Sequence, residues 1–251
     1  MIVRSLAFNI LFVANFIAQA VLLCPLLVLP RERIWWIPRG WARSSLWLHR
    51  TICGVEEEYR GLSNRVAGGS LVAAKHQSTW ETLALVLVFD RPAFIIKREL
   101  TWVPLFGWYA LKFGMIPVDR GKRSEALAAM AARAAREIAG GRPIIIFPEG
   151  TRRAAGAPPA YRYGVVRLYQ ELNVPCLPVA LNSGLFWPRR AVRHHAGTIV
   201  MDILPPIPPG MDTEGFAALL RETIESATDG LIRLAAERDP SLSPAGPPPG
   251  E

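Results

Sequence analysis

The chain reads as an α/β protein, a mixed and largely parallel sheet flanked by helices, preceded by a membrane-associated helical segment. Three observations point there. From Ser70 onward, short aliphatic and β-branched runs alternate with longer stretches of helical periodicity, the pattern of strand–helix–strand units around one sheet. Ser5 to Leu29 is almost wholly apolar. The polar residues that could carry chemistry follow directly on aliphatic runs, at the carboxyl edge of a sheet where α/β sites gather.

The N-terminal run is broken only by Asn9, Asn15 and Gln19. About 25 residues rising about 1.5 Å each would span a bilayer core with some tilt. Ala18-Gln19-Ala20 has the form of a cleavage site, but Val21-Leu22-Leu23 continues the apolar run. Leu23 stands where a lipoprotein signal would place a small residue before Cys24, so the segment is expected to stay. Arg4 precedes it alone, whereas Arg31, Arg33, Arg39 and Arg43 follow. By the positive-inside tendency the rest of the chain is expected on the cytoplasmic side of the inner membrane. Pro25 and Pro30 speak against one straight span. A helix dipping into one leaflet, paired with a second over Gly40 to Cys53, competes with it.

Val55 to Leu62 reads as a charged edge strand. Further strands are expected over Leu71–Ala74, Ala93–Lys97, Met115–Val118, Pro143–Phe147, Cys176–Leu181 and Thr198–Leu204. Helices are expected over Trp80–Phe89, Leu100–Lys112, Ser124–Ala139, Tyr163–Leu172 and Glu214–Glu237. The third has Leu127, Met130, Ala134 and Ile138 on one stripe and stops at Gly140-Gly141. Residues 1–53 thus form a membrane-associated part and 54–237 an α/β domain. The Pro-, Ser- and Gly-rich residues 238–251 form a disordered tail.

With 29 Lys+Arg against 21 Asp+Glu the net charge is +8, which suits nucleic acid, anionic lipid or a phosphorylated small molecule. No zinc-finger spacing or basic–aromatic alternation supports nucleic acid. The tryptophans, including Trp35, Trp36, Trp41 and Trp47 just after the apolar run, fit a membrane interface. Cys24, Cys53 and Cys176 are too scattered for a disulfide framework or metal cluster.

Three constellations carry chemistry. In Ala74-Lys75-His76-Gln77-Ser78-Thr79-Trp80-Glu81, a histidine and a carboxylate lie five residues apart where a helix begins. On a straight helix they would point about 140° apart. His76 must therefore occupy the turn and fold back over the first helical turn, a geometry suited to a general base oriented by an acid. The alternative is a histidine satisfied by loop carbonyls. Phe147-Pro148-Glu149-Gly150-Thr151-Arg152-Arg153 follows Ile144-Ile145-Ile146. Gly150 allows close backbone approach, Thr151 brings a hydroxyl, and Arg152 brings a fork suited to phosphate; a capped turn with solvated arginines is the competing reading. Gly114 to Gly121 ends likewise in Arg120 beside glycine, either an anion site, a surface charge or a partner of Asp119.

These segments resemble the 1-acyl-sn-glycerol-3-phosphate acyltransferases, within the wider glycerolipid acyltransferases. The family's histidine–acid motif is matched by His76 to Glu81, its glycine-to-arginine motif by Gly114 to Arg120, and its Phe-Pro-Glu-Gly-Thr-Arg motif by Phe147 to Arg152. Its proline-bearing strand is matched by Val174 to Ala180. The ordered set spans about Cys53 to Leu234. The usual acid is Asp; here Glu81 is one methylene longer.

The resemblance implies the glycerolipid acyltransferase fold and transfer of a fatty acyl group to the sn-2 hydroxyl of 1-acyl-glycerol-3-phosphate, giving phosphatidic acid. The acyl group would come from a thioester of coenzyme A or acyl carrier protein, as co-substrate rather than bound cofactor. It implies His76 as general base, Glu81 as its orienting acid, Arg120 and Arg152 on the acceptor phosphate, and Glu149 and Gly150, beside Thr151, around its glycerol. No acyl-enzyme on Ser78 or Thr79 and no metal are implied. Lys97 and Arg98 either add to the phosphate pocket or meet anionic lipid. His49, His194 and His195 have no carboxylate at a useful spacing. Competing readings are acylation of another lyso-lipid such as a lyso-ornithine lipid, a non-catalytic lipid-binding protein on the same fold, and a metal-dependent hydrolase. The last lacks a His-Glu-x-x-His motif or a third ligand nearby.

Overall fold

The computed structural model describes residues 1–119 and 123–242. Helix α1 (Ile2–Leu22) stops before Pro25, and the apolar run continues as a short 3-10 turn over Cys24–Val28. A proline cannot donate to the preceding turn and clashes with it. Helix α2 (Trp36–Leu48) runs on through a wider turn, His49–Cys53. Gly54, at φ 71°, then turns the chain into β1 (Val55–Arg60). There follow β2 (Leu71–Ala74), α3 (Trp80–Val88), β3 (Ala93–Lys97), α4 (Phe106–Lys112), β4 (Ile116–Val118), α5 (Arg123–Ala139) and β5 (Ile144–Ile146). After them come α6 (Gly164–Leu172), β6 (Cys176–Leu181), the single turn α7 (Ser183–Phe186), β7 (Gly197–Ile203) and α8 (Thr213–Arg238).

Two expectations need correction. Leu100–Lys112 is not one helix. A 3-10 turn over Arg98–Trp102 and the separate α4 flank Pro104, and Leu105 takes a left-handed φ of 64°. Gly107 allows the two pieces to meet, because a Cβ there would lie 2.1 Å from the Thr101 carbonyl oxygen. Nor is the chain structureless from residue 238. Pro240–Leu242 forms a turn that buries Leu242 against the core; residues 243–251 lie outside the described residues.

Among the described residues seven strands form one sheet in the order β1-β7-β6-β2-β5-β3-β4. Only the β6–β7 pair is antiparallel. Side chains alternate across it with the strand period of two. On one face Val72 and Ala74 pack with Leu46 of α2 and Trp80 and Leu83 of α3. On the other, Leu71 and Ala73 pack with Ala134 of α5, Leu168 of α6 and Phe216 of α8. Central β2 pairs with both β5 and β6, so the turns leaving β2, β5 and β3 open side by side on one edge.

The N-terminal helices reverse the usual amphipathic logic. The outward stripe of α1, through Val3, Leu6, Ile10, Val13, Ile17 and Val21, is apolar and exposed. Its polar residues turn inward. Asn15 donates to Ser44 at 2.9 Å and to Ser45 at 3.1 Å, and Gln19 donates to Ser44 at 2.9 Å. By length and hydropathy α1 could cross a membrane, yet it pairs with α2. Such a pair, polar seam inside and apolar stripe outside, suits insertion into the membrane surface layer. Trp36 and Trp47 of α2 are exposed on it, as interface tryptophans are.

Phe8 anchors α1 to the sheet domain, fully buried among His49, Trp187 and His194. His49 Nε2 and His194 Nδ1 lie 3.0 Å apart, and His194 Nε2 meets Asn9 Oδ1 at 3.2 Å. Asn9 Nδ2 donates to the Val192 carbonyl, so its oxygen accepts from His194, and His194 Nδ1 in turn accepts from His49. Burial, with His194 beside it, lowers the His49 pKa to about 3. Burial, with His195 beside it, lowers His194 to about 4. As pH falls below the ordinary histidine value of about 6.5, the unfolded chain takes up protons that the folded joint refuses. The joint's stability is therefore present above that value and lost on acidification toward pH 4. Thermal midpoints measured in detergent should fall between about pH 7 and pH 4.5, and fall less steeply in H49Q/H194Q.

Candidate active site

The aliphatic strand β2 ends at Ala74, and Lys75 and His76 begin a tight polar turn into α3. Glu81 sits in the first turn of that helix, fully buried. Its Oε1 accepts from His76 Nδ1 at 2.8 Å, the Gln77 N–H at 2.8 Å and the Ser78 N–H at 2.7 Å. Its Oε2 accepts from Ser78 Oγ at 2.9 Å and Ser183 Oγ at 2.8 Å. Burial opposes the charge. Hydrogen bonds from His76, Ser78 and Ser183 outweigh it and hold the carboxyl below the ordinary carboxylate range. An ionised carboxylate only accepts, so Nδ1 of His76 carries a proton, and in the neutral ring the lone pair lies on Nε2. The ring lies flat on Phe147, centroids 3.8 Å apart and planes at 14°.

His76 lines a cavity of about 1080 Å³, at the upper end of the roughly 300–1,000 Å³ usual for ligand sites. Lys97, Gly150, Thr151 and Arg152 line it too. Arg152 Nη1 donates to Thr79 Oγ1 at 2.9 Å, beside the histidine turn, and its carbonyl accepts from Arg189 at 2.8 Å. Gly150, at φ 67°, takes the backbone conformation the turn needs. Much of the remaining wall is apolar, made by Phe16, Trp35, Trp41, Phe94, Phe113 and Met115. Three of those come from the N-terminal helical segment and its connection.

The structure brings together His76, Glu81, Gly150, Thr151, Arg152 and Lys97. Arg120 lies outside the described residues. One expectation fails, and one of the two readings of Arg98 falls away. Glu149 does not face the cavity: its carboxylate has no exposed surface and pairs with Lys75 Nζ at 2.9 Å, on the far side of the turn. Burial pushes its pKa up, against the pull of Lys75. Arg98 is tied to Asp119 at 2.9 Å, half exposed and off the cavity wall. Sequence reasoning missed Ser183, which follows β6. Its signal was the polar pair Asn182-Ser183 ending an otherwise apolar strand parallel to β2. It also missed Arg162 and Arg189, which reach the cavity from loops.

Among the described residues, the one grouping with metal-ligand atoms close together is His49, Cys53 and His194, within 4.8 Å of one another. None of them lines the cavity, and the two rings serve the α1 joint.

A family model described as acyltransferase matches residues 56–182. A 1-acyl-sn-glycerol-3-phosphate acyltransferase of Pseudomonas aeruginosa is 33% identical over 216 residues, 85% of this chain and 82% of that protein. This chain belongs to the acyltransferase family. The human 1-acyl-sn-glycerol-3-phosphate acyltransferase alpha is 30% identical over 147 residues, 58% of this chain and 50% of that one. In fold, the acyltransferase matches the crystal structure of the 1-acyl-sn-glycerophosphate acyltransferase of Thermotoga maritima with a TM-score of 0.69. That match covers 91% of this chain and 96% of the other at 21% identity.

Ser183→Ala removes one of the two donors on Glu81 Oε2 and nothing else polar. It should lower unfolding stability by about 1–3 kcal/mol in a chemical denaturation experiment, the usual effect of orphaning a hydrogen bond to a buried charge.

Proposed function

We propose that this acyltransferase moves a fatty acyl group from an acyl thioester to the free sn-2 hydroxyl of 1-acyl-glycerol-3-phosphate, giving phosphatidic acid. One observation carries the reading. An imidazole oriented by a buried carboxylate stands on the wall of a cavity that carries Lys97 and Arg152 and is apolar over much of the rest of its lining. The names of the relatives agree with it.

His76 Nε2 takes the hydroxyl proton as the acceptor oxygen attacks the thioester carbonyl. The new C–O bond forms, the C–S bond breaks, and the imidazolium returns its proton to the leaving thiolate. Glu81 holds the tautomer and stabilises the imidazolium. General-base help of this kind is worth roughly 10²–10⁴-fold. Lys97 and Arg152, with Arg120, hold the acceptor phosphate. Gly150 and Thr151 border its glycerol, and the apolar wall takes acyl chain. Transfer is direct, without an acyl-enzyme. Ser78 Oγ donates to Glu81 and accepts the Trp80 N–H at 2.9 Å, and Thr79 Oγ1 accepts from Arg152, so neither hydroxyl is poised as a nucleophile. The donor is acyl-CoA or acyl carrier protein. The apolar stripe of α1 and the arginines after it support a position on the cytoplasmic face of the membrane in this reading.

Purified protein incubated with lysophosphatidate across acyl-CoA and acyl-carrier donors should yield phosphatidic acid, read by mass, and a separate incubation with a lyso-ornithine lipid should yield no acylated product. His76→Ala should abolish turnover and still bind lysolipid vesicles. Arg152→Ala should raise KM for lysophosphatidate about tenfold or more, as loss of a charge-assisted phosphate contact does. Wild-type-like transfer by the His76 variant would falsify the mechanism, and product from the lyso-ornithine lipid alone would overturn the phosphate acceptor.

A further inference from the structure

A buried charge network lies directly behind His76. Lys75 Nζ meets Glu149 Oε1 at 2.9 Å and both oxygens of Glu225, on α8, at 2.9 and 2.8 Å. Tyr161 donates to Glu225 Oε1 at 2.8 Å. The side chains of Lys75 and Glu149 are 2% and 0% exposed, and that of Glu225 is 17% exposed. Arg153 Nε stands 4.0 Å from Glu149 Oε1. Buried ion pairs add little net stability, because desolvation offsets attraction. Their use has to be sought in what they hold in place.

They hold the backbone of His76. Its N–H points to Glu149 Oε2 at 3.4 Å, and its carbonyl accepts the Arg153 N–H at 2.8 Å. Both peptide groups of the histidine are thus fixed to the turn that carries Gly150, Thr151 and Arg152. Glu81 fixes the ring, and the turn after β5 fixes the main chain. Glu149 can do this only while Lys75 neutralises it, and Lys75 is centred by Glu225 from the opposite layer.

We infer that Lys75, Glu149 and Glu225 are positioning residues: a lock through which α8 sets the distance between the His76 base and the phosphate-binding turn. Glu149 acts through the backbone of His76 and not as a ligand of the acceptor's glycerol. The inference rests on the proposed function, since that distance matters only if base and anion site serve one substrate. Misplacing a reacting group by about 1 Å can cost about 10²-fold in rate.

The test uses full-length protein in detergent with lysophosphatidate and whichever thioester supports wild-type turnover. Glu225→Gln keeps the size and loses the charge, at a residue away from the cavity wall. Lys75→Met removes the centre of the lock, and Lys75→Arg restores a cation. The expected result is kcat lowered about 10-fold or more in E225Q and K75M, partial recovery in K75R, and KM for lysophosphatidate within about twofold of wild type. Circular dichroism melting identifies the folded variants, and E225Q carries the test if K75M does not fold. An unchanged kcat in folded E225Q, or a raised KM with kcat intact, overturns the inference; the second result would return Glu149 to the substrate. NMR of the His76 imidazole separates this failure from failure of the proposed function. If wild type acylates no lysophospholipid, the function is wrong, while the lock still requires the His76 signal to shift or broaden in E225Q, and an unmoved signal overturns it.

Discussion

A carboxylate with no exposed surface organises the turn after β2. Removing an ion from water costs several kcal/mol even after the protein relaxes, and Glu81 offsets that with five donors. Two are backbone N–H groups at a helix start, where the dipole also favours negative charge. One is the imidazole and one the Ser78 hydroxyl. The last, Ser183, arrives from beyond β6, so one side chain ties together the two turns leaving neighbouring parallel strands. Such a carboxylate has no lone pair to spare for taking a substrate proton. In the proposed mechanism it orients and stabilises, and proton transfer is left to the ring it holds.

The sheet explains why distant motifs meet. Strands β2, β5, β3 and β4 run parallel and adjacent, so successive crossovers return to the same edge and each strand discharges its turn there. Residues 76 and 152 lie far apart in sequence but only one strand apart in the sheet. Local glycine conformations then set each turn. The antiparallel β7 and the edge strand β1 extend the sheet away from this edge and support the N-terminal helices instead.

The strands, most helices and the His76–Glu81 meeting were legible because each rests on a local pattern: aliphatic runs, a 3.6-residue stripe, a helix start with an acid in its first turn. What could not be read depends on which way a side chain leaves a turn. Glu149 and Arg152 are three residues apart in one motif, yet one points under the sheet to Lys75 and the other into the cavity. Nothing in their spacing distinguishes the two, since the choice belongs to Glu225 on a helix some seventy residues later. Arg98 was likewise indistinguishable from Lys97 until Asp119 claimed it. The break at Pro104 was visible as a proline, but its resolution into two pieces depended on Gly107 fitting against Thr101. His49 and His194 lacked a carboxylate because they pair with each other.

The N-terminal helices do more than attach the domain. Phe16 and Ala20 of α1 and Trp41 of α2 form part of the cavity wall, and Tyr109 of α4 donates to the Ala20 carbonyl at 2.9 Å. The wall that carries Lys97 and Arg152 belongs to the sheet edge, and the apolar wall is shared with helices whose outer stripe is apolar. A lysophospholipid has the same polarity. Its phosphate is expelled from hydrocarbon at a cost of several kcal/mol and its chain is expelled from water. A molecule held at both ends by these opposed preferences carries its free hydroxyl at the boundary between them. His76 stands at that boundary, between Arg152 and Phe147 on one turn and the N-terminal helices.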